Sequence, residues 1–271
     1  MDYKIIVDSC ADLTPEMARD LEITTVPLYL RLGQDEYLDD CSLDLPGFMQ
    51  MMAECRDSVG SAAPAPAKFI DVMTDDGFVV TVSSALSATY QNAMLGAEET
   101  PANVHVFDSK SASAGQTLIA VKLRELIANK LSKQQIVENV NKFIDEMKTY
   151  LVIEKFDNLI KNGRLAAWKG KIASALNMKL LLGSNGEGEI SLHAKVRNKK
   201  QMLDKILNFI TESGRKTKGE NMVISHTNNL SLAEQLAERV RERFDFKKIF
   251  IVPTRGTSSL YANDKGIVLA F

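Results

Sequence analysis

The residues nearest to chemistry are Val82-Ser83-Ser84-Ala85-Leu86-Ser87. An apolar run from Phe78 to Val82 ends on two adjacent serines, and a helix is expected from Ser87 to Glu99. In an open α/β sheet, ligands bind beyond the carboxyl ends of the strands. Free amides at a helix start, with two hydroxyls beside them, suit a carboxylate or a phosphate. Helix capping by Ser84 or Ser87 is the plainer reading of the pattern alone. Two more strand-end loops resemble this one in composition, Asp8-Ser9-Cys10-Ala11-Asp12 and Asp108-Ser109-Lys110-Ser111-Ala112-Ser113.

A nucleophilic serine needs a base within hydrogen-bond reach. The histidines are His105, His193 and His226, and none adjoins the serine pair in sequence. There is no G-x-S-x-G elbow, no dinucleotide fingerprint and no P-loop. His226 ends an expected strand and is the best placed for function, but a structural or surface role is expected for all three. No catalytic residue and no cofactor are therefore expected. The competing reading is an orphan α/β serine hydrolase that pairs Ser84 with a distant histidine. Asp8 and Asp12 could suggest a metal, but Asx-turn capping explains them better. Cys10, Cys41 and Cys55 are scattered and odd in number, so neither a disulfide framework nor a zinc site is expected.

Strands and helices must carry these loops. Strands are expected at Lys4 to Val7, Ile23 to Leu30, Phe78 to Val82 and Val104 to Phe107, with helices from Thr14, at Leu45 to Glu54, at Lys68 to Met73 and at Ala114 to Asn129. Ser61 to Pro66 reads as a turn. Ile136, Val140, Phe143, Ile144 and Met147 recur at helical spacing and give one apolar face. This alternation predicts a mostly parallel N-terminal sheet with flanking helices over residues 1–149. From Tyr150 the pattern changes to strand pairs with helices at Lys199 to Glu212 and Leu232 to Arg243, which predicts an α+β domain over residues 150–271. Without a low-complexity linker the two should share a broad interface, where small-molecule sites often lie.

The bulk numbers fit this class. Of 271 residues, 45% are hydrophobic and 25% charged, which is globular rather than disordered. The formal net charge of −2 gives no footprint for nucleic acid. Asp8 interrupts the first apolar run before it reaches signal-peptide length, and no run approaches the roughly 20 residues of a membrane span. A cytoplasmic protein is expected.

Taken in order along the whole chain, several motifs resemble the DegV family of fatty-acid-binding proteins. They are Asp8-Ser9-Cys10-Ala11-Asp12-Leu13, the Ser61 to Pro66 turn, Ser83-Ser84-x-Leu86-Ser87-x-Thr89-Tyr90 and Asp108 to Ser113. Gly163-Arg164, Leu176-Asn177-Met178-Lys179, Val196-Arg197 and Gly256-Thr257 continue the series. The resemblance implies a two-domain α/β fold that holds one long-chain fatty acid in a tunnel. It implies a carrier that presents the carboxylate to a separate fatty acid kinase subunit, whose acyl phosphate product feeds phospholipid synthesis. It further implies that Ser61, Ser83 and Ser84 hold the carboxylate. By the same resemblance Arg164 and Arg197 engage the partner or a membrane surface, and Thr257 and Ser258 belong to the head-group region. The chain departs from the family at Ser61, often Thr, at Ala62-Ala63, often Ser-Gln, and at Ala85 and Ala88, often Gly. It departs also at Ser258, where many relatives carry His. Burying about 15 methylenes at roughly 0.8 kcal/mol each would supply about 12 kcal/mol before ordering costs, so the tail gives affinity and the head gives orientation.

Overall fold

A computed structural model describes residues 3–165 and 178–271. From its N-terminal end the chain forms β1 (Lys4–Asp8), α1 (Pro15–Asp20), β2 (Ile23–Val26), β3 (Tyr29–Leu32), β4 (Asp35–Leu38), α2 (Leu45–Glu54) and β5 (Val59–Ala62). It continues through α3 (Pro66–Ile70), β6 (Gly77–Thr81), α4 (Thr89–Glu99), β7 (Val104–Asp108), α5 (Ala114–Ala128) and α6 (Lys133–Glu146). The remaining elements are β8 (Thr149–Ile153), α7 (Asp157–Lys161), β9 (Lys179–Ser184), β10 (Ile190–Val196), α8 (Lys199–Glu212) and β11 (Asn221–His226). They close with α9 (Leu230–Arg243), β12 (Lys248–Pro253), α10 (Gly256–Ala262) and β13 (Ile267–Ala270).

The first sheet has the order β2-β1-β6-β7 and is parallel throughout. Every residue of β6 is buried, which is why it reads as an unbroken apolar run rather than an alternating one. A six-stranded mixed sheet, β10-β9-β8-β13-β11-β12, is built wholly from residues after Lys148. Between the two sheets lies α5, buried around nearly its whole circumference. Its Leu118, Ile119 and Leu123 share one core with Ile5, Val7, Phe78 and Val80 of the first sheet and Val223, Val252, Val268 and Ala270 of the mixed sheet. A helix apolar on all sides is a buried helix, and here it joins the halves into one body. The periodic stripe expected on α6 is buried through Ile136, Val140, Phe143 and Ile144, and a Ser132–Gln135 capping box starts the helix.

The strand expected from Ile23 to Leu30 is two strands in two sheets. Proline lacks the N–H a ladder needs, and the chain leaves the parallel sheet at Pro27. The Leu28 N–H then donates to Ser9 Oγ at 3.0 Å. From Tyr29 a small antiparallel sheet, β4-β3-β5, begins. Ser61, expected in a turn, is a residue of its β5 strand and pairs with Leu30. Gly256 to Ala262, which carries the Gly256-Thr257 motif, forms the short helix α10. Of the motif Leu176-Asn177-Met178-Lys179, the first two residues lie outside the described residues.

Candidate functional site

A cavity of about 110 Å³ lies where the carboxyl ends of β1, β6 and β7 face the mixed sheet. That is room for several waters, since one water needs roughly 10–15 Å³. Leu28, Val82, Leu86, Leu151, Leu159, Ile190 and Val268 line it, and the exposed surface of the wall is overwhelmingly apolar. Elements from both halves of the chain contribute, as expected for a ligand site at a broad internal interface.

Hydroxyl residues also line the wall, yet most are paired with protein. Ser111 Oγ and Thr149 Oγ1 are 2.8 Å apart. Just behind them, Ser109 Oγ donates to the Ser111 carbonyl at 2.9 Å, and Ser113 Oγ donates to the Asp12 carboxylate. A hydroxyl that already has its partner costs little to bury, so a wall rich in serine still presents a surface suited to hydrocarbon. Lys110 and Ser113 hold φ of 47° and 56°. Such backbone persists in non-glycine residues only where the surroundings over-determine it.

Three fully buried carboxylates brace the polar end. Asp8 accepts from the amides of Cys10 at 2.9 Å and Val82 at 2.7 Å, tying the first two strand-end loops together. Asp12 accepts from the Arg255 amide at 2.8 Å. Asp39 accepts from the amides of Gly256 and Thr257, both at 2.8 Å, and from Thr257 Oγ1 at 2.6 Å. Together Asp12 and Asp39 pin the start of α10. Burial raises the pKa of Asp8 and of Asp12 to about 6, and it pushes the Cys10 thiol well up. Cys10 is therefore a buried, protonated thiol rather than a nucleophile.

The residues singled out in the sequence have distinct fates. Ser61, Arg164, Thr257 and Ser258 all line the cavity. The Ser61 hydroxyl lies 2.9 Å from the Tyr261 hydroxyl. Thr257 is held by Asp39, and Ser258 Oγ donates to the Cys10 carbonyl at 3.3 Å. Ser83 is buried, and its hydroxyl donates at 2.9 Å to the carbonyl of Gly188, a cavity residue in the β9–β10 turn. Ser84 is exposed; its hydroxyl donates to the Asp108 carboxylate, and its amide donates there at 3.1 Å. The three serine hydroxyls expected to meet thus have three different partners. A ligand carboxylate at Ser84 would sit beside the carboxylate of Asp108, and like charges that close are disfavoured.

Arg164 donates from Nε to the Leu86 carbonyl at 3.0 Å and from Nη1 to the Asn162 carbonyl at 2.5 Å. Its guanidinium carbon is 5.8 Å from the Tyr261 ring centre. Arg164 therefore belongs to the wall. Arg197 is exposed, outside the cavity, and its amide donates to Gln201. Sequence reasoning missed Tyr261 and Asp39. Neither carries a local signal, because their partners are 200 and 217 residues away.

The histidines stand apart from the serine pair. Among the described residues, the serine hydroxyl in hydrogen-bond contact with a histidine is that of Ser191, 3.2 Å from His193 Nε2 at an exposed strand surface. His226 Nδ1 accepts from the Asn229 amide at 3.3 Å, and His105 packs edge-on to Phe107. Burial lowers the pKa of all three. Ser84 has a carboxylate partner and no imidazole, so it lacks the base that a hydrolase requires. Among the described residues no group of three acidic, histidine or cysteine side chains is arranged to hold a metal, and no helix is long and apolar enough to cross a membrane.

Comparison with known proteins agrees with this geometry. A solved DegV family protein from Ruminococcus gnavus, described with vaccenic acid, is 35% identical with a TM-score of 0.93 and 99% of each chain covered. The Streptococcus pneumoniae Fatty Acid Kinase (Fak) B3 protein, described as loaded with linoleic acid, is 30% identical with a TM-score of 0.91, covering 100% of this chain and 99% of that one. A DegV domain-containing protein of Streptococcus gordonii is 31% identical over 280 residues, covering 100% of this chain and 99% of its own. The family model described as an uncharacterised protein of the DegV family matches residues 2–270. The chain belongs to the DegV family.

Proposed function

We propose that this protein binds one long-chain fatty acid in the cytoplasm and presents the acid's carboxylate to a partner kinase, without doing the chemistry itself. The observation that carries this reading is a cavity with an apolar wall and one polar end, where Ser61, Tyr261 and the Arg164 guanidinium meet. A hydrocarbon tail gains from such a wall in proportion to the surface it removes from water. The carboxylate gains charge-assisted hydrogen bonds at the polar end, stronger than neutral ones. Ser61 takes one carboxylate oxygen. Ser83 joins it when the carboxylate replaces the Gly188 carbonyl as acceptor, and Ser84 remains on Asp108 and holds the loop. Exposed Arg197 offers a fixed positive charge to the kinase or to an anionic membrane surface.

Delipidated protein loaded with oleic acid and mixed with ATP and the fatty acid kinase subunit of the same organism tests the carrier role. Acyl phosphate trapped by hydroxylamine only when both proteins are present supports it. Acyl phosphate formed equally well from free oleic acid contradicts it.

A further inference from the structure

Tyr261 closes a chain of contacts that begins far from it in sequence. Asp12 and Asp39 hold the amides of Arg255, Gly256 and Thr257, and so fix where α10 begins and how it points. One and a half turns later the helix delivers Tyr261 to the cavity wall. There its hydroxyl meets that of Ser61 at 2.9 Å, across 200 residues of sequence. The Arg164 guanidinium lies against the same ring, anchored by the carbonyls of Leu86 and Asn162.

Two hydroxyls in contact hold two protons, and their mutual bond uses one. Among the described residues no further acceptor is within reach of either, so the second O–H is available to an acceptor inside the cavity. Resting on the fatty-acid reading above, we propose that Tyr261 is a head-group residue, donating with Ser61 to the ligand's carboxylate and setting the preference for an acid over its neutral analogues. Burial raises the phenol's pKa, so the ring oxygen keeps its proton at neutral pH and remains a donor. A carboxylate is a charged acceptor and draws more from these donors and from the neighbouring guanidinium than an alcohol or an ester can. No histidine is among the described cavity residues, and Ser258 turns its hydroxyl to the Cys10 carbonyl. Ser111 and Thr149 form another mutual pair on the wall; the Ser61–Tyr261 pair is distinguished by the Arg164 guanidinium beside it.

The test is Tyr261→Phe in the full chain, which keeps the ring and its packing and removes only the hydroxyl. Delipidated wild type and variant are titrated with oleic acid and with oleyl alcohol by displacement of a fluorescent fatty acid, and melting temperatures are compared. The expected result is at least a ten-fold loss of affinity for the acid, a change below three-fold for the alcohol, and a similar acid-selective loss in Ser61→Ala. An unchanged acid affinity in Tyr261→Phe overturns the assignment. Equal losses for acid and alcohol overturn it too, because they show a packing role. Wild-type protein that binds neither ligand overturns the fatty-acid reading itself, and this assignment with it.

Discussion

Of two hydroxyl pairs, one lines the cavity and the other lies beside it, and the fold treats them differently. In the β6–α4 loop, Ser83 and Ser84 are neighbours in the chain, yet one is buried on the Gly188 carbonyl and the other is exposed on Asp108. Ser61 and Tyr261, by contrast, are far apart in the chain, have each other as partner and line the cavity. A hydroxyl is available to a ligand only when the protein has not already supplied a better acceptor. The two serines lie in the turn after β6, where the Ser83 carbonyl accepts from the amides of Leu86 and Ser87, and their side chains leave it toward different partners, so they do not act as a unit. A pair assembled from β5 and α10 does, because two rigid elements aim at one point.

The comparison breaks first at the foundation of the second pair. Asp39→Ala leaves the donors at the start of α10, namely the amides of Gly256 and Thr257 and the Thr257 hydroxyl, buried without an acceptor. At about 1–3 kcal/mol for each orphaned donor, a loss of at least about 3 kcal/mol is expected, read as a lower urea midpoint. A midpoint within error of wild type would mean that α10 is held by something else.

Next come the two members of the first pair. Ser83→Ala should lower oleic acid affinity about ten-fold, the equivalent of about 1.4 kcal/mol. Ser84→Ala should leave it within two-fold. A Ser84→Ala variant that loses affinity while Ser83→Ala keeps it would reverse the assignment of the two serines.

The two arginines sharpen the difference between wall and surface. Arg164→Ala should reduce the fatty acid that co-purifies with the protein. Arg197→Ala should leave that content unchanged and reduce acyl phosphate formation several-fold with the kinase subunit. Normal phosphorylation of the Arg197→Ala carrier would remove the docking role.

A separate effect is one of pH. Asp8 and Asp12 have folded pKa values of about 6 against 3.8 for an ordinary aspartate, with burial the main cause. Between those values the folded state binds more protons than the unfolded chain, so the contribution of both groups to stability falls as pH rises through this window. The slope is up to about 1.4 kcal/mol per pH unit for each group. Asp8→Asn and Asp12→Asn should each flatten the change in unfolding free energy between pH 4 and pH 6. Variants with the wild-type slope would show that these carboxylates are not the titrating groups.

Much of this architecture was legible because it is local. The stripe on α6 and the apolar run of β6 are periodic signals in contiguous residues, and both elements form as expected. The strand-end loops were legible for the same reason, since each follows a short apolar run. Pro27 marks a break in its strand, but the consequence, a change of sheet, depends on where β5 returns from residue 59. The polar end of the cavity was half legible. Ser61 came from a family motif, whereas Tyr261 and Asp39 act on partners from the other half of the chain, and no spacing rule reports such a contact. The opposite fates of Ser83 and Ser84 were hidden likewise, because they depend on Gly188 and Asp108.

The central claim is that the cavity holds a fatty acid, and the most direct measurement is the ligand itself. Protein purified without added lipid, extracted with organic solvent and analysed by quantitative mass spectrometry, should release about one long-chain fatty acid per chain. Protein that releases none, and that hydrolyses an ester with activity lost in Ser84→Ala, would contradict the carrier and support the hydrolase.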